Sequence, residues 1–157
     1  MLRPRTFGCA GAALALSIAA RGAPAQVTAQ GRQSLNFGVT LPGVNRSVAP
    51  SATTSAGQFY VLEHLGGVVR LSFTLPTKLS RSGGGTLTIS FATTDALYRL
   101  TSSGATSVVF NPATAKNVTL STSADMYVQL GGTVKPTAAQ ATGTYTGTVT
   151  LTITVIS

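Results

Sequence analysis

Apolar and polar residues alternate along much of this chain. In GTYTGTVTLTITVIS, residues 143 to 157, Tyr145, Val149, Leu151, Ile153 and Val155 share one parity, and threonines hold the other from Thr144 to Thr154. A period of two is that of a β-strand with one face in a core and the other in water. The same reading predicts a strand over 34 to 42, with Leu35, Phe37, Val39 and Leu41 on one face. It predicts another over 57 to 65, with Phe59, Val61 and Glu63 opposite Tyr60, Leu62 and His64. Residues 68 to 76 place Val69, Leu71, Phe73 and Leu75 together, and residues 86 to 93 do so with Leu87, Ile89 and Phe91. Shorter strands are expected at 96 to 100, 106 to 110, 117 to 121 and 125 to 130.

Turn residues punctuate these runs. Pro42-Gly43, Gly66-Gly67, Gly83-Gly84-Gly85 and Gly131-Gly132 fall between them, the last pair reading as a hairpin turn. Residues 47 to 57 read as an exposed loop. NPATAKNV, 111 to 118, is the nearest thing to a helix, but it is short and holds a proline. Short strands at this spacing predict an all-β antiparallel sandwich of about seven to nine strands. A one-residue slip of the terminal strand would carry Leu151 and Ile153 to the water face, so its register is tightly specified.

The N-terminus has a different pattern. Arg3 and Arg5 precede an apolar run over 7 to 20, too short to span a bilayer, and Ala23 and Ala25 follow at the spacing of a cleavage site. Residues 1 to 25 are therefore expected to be a secretory signal peptide, forming a helix ahead of the domain, and residues 34 to 157 the sandwich. Cys9 lies inside the run rather than at its end, which disfavours a lipid anchor. The segment between, 26 to 33, alternates Val27, Ala29 and Gly31 and is expected either to be disordered or to donate a strand to a neighbour.

Composition supports this division. Residues 26 to 157 hold 24 threonines, a residue suited to a pleated, half-buried surface. The single cysteine would leave with the signal, so core packing and ladder hydrogen bonds alone would hold the exported domain together. Eight bases would remain against Glu63, Asp95 and Asp125, a formal charge of +5. The bases are scattered and form no stripe for nucleic acid.

The C-terminal third resembles a known family. Gly131-Gly132, Gln140 and Gly143-Thr144-Tyr145-Thr146-Gly147, ahead of an alternating last strand, are similar to the end of the bacterial domain-of-unknown-function family 4402 (DUF4402). LNFG at 35 to 38, FTLP at 73 to 76 and GGGTLTISF at 83 to 91 are similar to its start and middle. The resemblance implies an exported Ig-like sandwich without assigned activity, similar in look to spore-coat U and fimbrial subunit domains. Many fimbrial subunits carry a disulfide, which this domain cannot form.

Candidate chemistry is sparse. His64 is the only histidine, and adjacent Glu63 would point to the opposite face of a strand. No Gly-x-Ser-x-Gly elbow places a nucleophile. Asp95 and Asp125 sit beside predicted turns, where aspartate commonly bonds its own backbone. Gly83-Gly84-Gly85 is not followed by the Lys-Ser/Thr of a phosphate loop. Asn45-Arg46-Ser47 and Asn117-Val118-Thr119 read as chance triplets. No catalytic, cofactor or metal residue is expected.

The expectation is thus a non-enzymatic exported subunit, in the periplasm, at the cell surface or outside the cell. It would meet its own copies or other envelope subunits through strand edges, with Tyr145, Val149, Leu151, Ile153 and Val155 as structural and assembly residues. The alternative is a small module binding carbohydrate or another envelope ligand through the loops 47 to 57 and 81 to 86, although neither loop carries an exposed aromatic that would suit it.

Overall fold

The computed structural model describes residues 28–62, 66–101, 106–120 and 125–156. The expected signal peptide, Glu63 and His64 lie outside them. Thirteen strand segments and no helix are found among the described residues. They are β1 (Thr28–Gln33), β2 (Arg46–Val48), β3 (Gly57–Leu62), β4 (Gly67–Thr74), β5 (Lys78–Arg81), β6 (Thr86–Ser90) and β7 (Ala96–Leu100), then β8 (Val108–Phe110), β9 (Lys116–Leu120), β10 (Met126–Leu130), β11 (Gly132–Lys135), β12 (Tyr145–Thr146) and β13 (Thr150–Val155).

All pairings are antiparallel. One sheet runs β1-β3-β10-β7-β8, a second β12-β5-β6-β11-β2, and a third β13-β4-β9. The main core lies between the first and third sheets. Val61, Met126, Val128 and Leu130 from one side meet Val69, Leu71, Val118 and Leu120 from the other. A second cluster of Leu79, Leu87, Ile89 and Val134 lies on the second sheet, with Phe37 and Tyr145 packed on it, and Phe91 touches both clusters. The layering is sandwich-like, and each buried parity follows from the period of two: β6 alternates exposed and buried from Thr86 to Ile89.

The segments outnumber the runs read from sequence because the terminal run divides between two sheets as β12 and β13, and because β1, β2, β5 and β11 lie outside those runs. Gly131-Gly132 is not a hairpin. β10 pairs with β3 and β7, whereas β11 pairs with β2 and β6, so the chain passes from one sheet to another at Gly131. Both glycines are buried and neither has a positive φ. Glycine is needed there for close approach: a side-chain carbon on Gly131 would strike the Val48 carbonyl oxygen and stand 2.8 Å from Pro50 N.

The expected strand at 34 to 42 is also absent from the ladders. Asn36 N–H is taken by Ser55 O at 2.8 Å, while Gly38 has φ +63 and donates its N–H to Asn36 Oδ1. That left-handed step breaks the alternation. Leu35 and Phe37 remain half-buried; Val39 and Leu41 are exposed. Of residues 26 to 33, expected to be disordered or to donate a strand, the described part, 28 to 33, forms β1 on the edge of the chain's own β3. The expected 47 to 57 loop gives up Ser47 and Val48 to β2. By contrast, Gly83, Gly84 and Gly85 do form the hairpin loop between β5 and β6, all with φ between +85 and +98.

Candidate functional site

The terminal segment is split. β12 pairs with β5 in register Tyr145↔Arg81, and β13 pairs with β4 from Thr150↔Thr74 to Val155↔Val69. Between them the ladder stops opposite Leu75-Pro76-Thr77, where Pro76 has no N–H to donate. Gly147 lies in this break, and a carbon added to it would come within 2.6 Å of Leu79 Cδ2.

The five residues expected to act together are therefore divided. Tyr145 packs on the second cluster, whereas Val149, Leu151 and Ile153 pack as half-buried side chains against the main one. Val155, expected in the core, is 48% exposed on the edge strand, although its pair partner Val69 on β4 is buried. The threonine face is as expected: Thr150, Thr152 and Thr154 are exposed.

Tyr145 is the centre of a hydrogen-bonded knot. Its hydroxyl donates to Ala141 O at 2.7 Å and accepts from Gln140 Nε2 at 2.6 Å. The same Gln140 amide also donates to Thr86 O at 3.1 Å. Arg81 donates from Nε to Gly84 O at 2.8 Å and from Nη1 to Thr142 O. Together these bonds fasten residues 140 to 145 to the β5–β6 hairpin. Beside the knot an open groove of about 930 Å³ has Leu35, Phe37, Phe59, Leu79, Ile89 and Val149 among its lining.

The sheet edges differ in how they are guarded. An unpaired edge is a template for another strand, and proteins blunt it with shortness, charge, proline or a bulge. β2 and β8 have three residues and β12 has two. β9 carries Lys116, and β1 carries Arg32 together with a register irregularity between Gly31 and Gln33. β13 is an edge strand of six residues, TLTITV, without charge, proline or bulge. Among the described strands it is the long edge that carries none of these devices.

The described acids are otherwise engaged. Asp95 Oδ2 accepts from Ala92 N–H at 2.7 Å, closing its own turn as expected. Asp125 does something the sequence did not reveal: its Oδ2 accepts from the Tyr60 hydroxyl, and its own N–H donates to Thr101 Oγ1. Tyr60 packs against Tyr127 with the rings tilted by 37° and 4.8 Å between centroids, and Arg32 lies 5.0 Å above the Tyr60 ring. The bond to Asp125, with burial and the nearby carboxylate adding to it, raises the Tyr60 pKa above the usual phenol value. Among the described residues, no three His, Cys, Asp or Glu side chains gather as metal ligands.

Compared with known proteins, the chain matches no family model and no curated protein is significantly similar to it. The likeness to family 4402 rests on its motifs alone.

Proposed function

We propose that this chain is an exported, non-enzymatic structural subunit of Ig-like sandwich type, which assembles with its own copies or other envelope subunits by pairing on the β13 edge. The observation that carries this reading is the unguarded length of β13: six residues of high strand propensity, one side paired to β4 and the other without a ladder partner among the described residues. Leu151 and Ile153 would fix the strand to the core while its free backbone groups recruit the partner. The resemblance to family 4402, with its fimbrial look, agrees with this role.

The test is the assembly state of the exported chain, followed by sedimentation and electron microscopy. Thr152→Lys adds a charge to the exposed face of the edge and should reduce association at least about tenfold without unfolding the domain. A wild-type chain that stays monomeric at every concentration, alone and mixed with envelope extract, would refute the proposal. So would association indifferent to Thr152→Lys.

A further inference from the structure

The most exposed aliphatic side chains lie far from β13 in sequence. Val39 is 88% exposed, Leu41 65% and Val44 54%. They crowd into six residues, and Leu41 to Ser47 is exposed without interruption. Singly exposed aliphatics are ordinary, whereas a cluster of them marks a surface that meets something apolar.

This cluster is not a floppy tip. Val44 N–H donates to Leu41 O at 3.2 Å across Pro42-Gly43, and Gly43 has φ +72. Proline second and a positive-φ glycine third are the requirements of a type II turn. Gly43 N–H is held by Thr137 O at 3.0 Å, and the Ala138 backbone packs 3.6 Å from where a Gly43 side chain would begin. These bonds fix the turn that carries Leu41 and Val44 out in water, with Val39 exposed just ahead of it.

The surroundings are basic. Arg46 opens β2, and its Nη2 lies 3.7 Å from the position of a Gly38 side-chain carbon, at the base of the loop. Lys135, exposed at the end of β11, stands one step beyond the Val134↔Arg46 pair. Neither described acid, Asp95 nor Asp125, lies on β2, β11 or the turn.

We propose that the Val39–Val44 turn is a membrane-interface anchor: Val39, Leu41 and Val44 enter the acyl boundary of an anionic lipid surface, and Arg46 and Lys135 meet its headgroups. An exposed aliphatic turn with Arg46 at its base and Lys135 next to the Val134↔Arg46 pair has the two elements of interfacial lipid binding, apolar area and attraction to anionic lipid. The long stem of Arg46 can lie along the apolar tip while its guanidinium reaches a phosphate. A protein pocket is the lesser match, since the tip offers no aromatic anchor and no amide for shape-specific recognition. The turn and β13 belong to different parts of the fold, so this inference stands or falls apart from the assembly reading.

Flotation of the exported chain with phosphatidylcholine vesicles, with and without half phosphatidylglycerol, tests it. The chain should float with the anionic vesicles, and added salt should weaken the partition. The double variant Leu41→Ser/Val44→Ser should lower the partition by at least about tenfold, Arg46→Gln should lower it several-fold, and Val109→Ser, another exposed aliphatic, should leave it unchanged. Circular dichroism should show every variant folded. Absence of flotation overturns the proposal, as does equal flotation of wild type and double variant. A double variant that changes oligomeric state in lipid-free buffer overturns it in favour of a protein partner.

Discussion

A side-chain carbon on Gly131 would stand 2.8 Å from the backbone nitrogen of Pro50, closer than real carbon contacts come. This approach lets β10 leave the first sheet and continue as β11 in the second, binding the two together. The atoms in the way are backbone and cannot rotate aside. Gly131→Ala should cost about 3 kcal/mol or more, as for a severe overpacking. Gly83→Ala, in open space but at φ +85, should cost about 1 kcal/mol through backbone strain alone. Urea unfolding of the two variants measures the difference.

Tyr145→Phe keeps the ring on the second cluster and removes the hydroxyl that joins Gln140 to Ala141. About 1–2 kcal/mol of stability should be lost. Gln140→Ala should lose a similar amount, and the double variant less than the two together, since they share a bond. A double-mutant cycle in denaturant is the measurement.

Tyr60 gives a pH signature. Its folded pKa is raised above its unfolded value, first by the hydrogen bond to Asp125. A raised pKa favours the protonated form in the folded state, so its contribution is fully present below about pH 10, the ordinary phenol value, and is lost as pH rises through the higher folded value. In an absorbance titration Tyr60 should ionise above the ordinary phenol value, and stability should fall over that range. Tyr60→Phe should remove both effects.

Leu151→Ala and Ile153→Ala should each cost about 1–2.5 kcal/mol, less than a fully buried residue, because both side chains are only half covered. Val155→Ala should change stability by less than about 0.5 kcal/mol, since nearly half its surface is already in water. Equal losses at all three positions in thermal unfolding would show that β13 is buried further than described here.

Much of this architecture was legible beforehand because a strand states its inward face in every second residue. Val69, Leu71, Leu87 and Ile89 are buried at the parity the pattern assigns them. The pattern failed at Leu35 to Leu41, where alternation continues but Gly38 turns the backbone left-handed and the ladder never forms. It failed again at Gly131-Gly132, because a glycine chosen for close approach and one chosen for a turn are spelled the same way. The Tyr60–Asp125 bond spans 65 residues, and the Gln140–Thr86 bond 54. No local pattern announces such partners.

By itself, then, the sequence determined that the described domain is built of strands, and which side of most of them faces inward, since side-chain parity and β-branched residues are local properties of the chain. Only the tertiary structure decided which strands are neighbours, where the chain changes sheets, that β13 is left as an open edge and that Val39, Leu41 and Val44 stand in water. Those outcomes depend on contacts between residues distant in sequence, whose energies exist only once the backbone has brought them together.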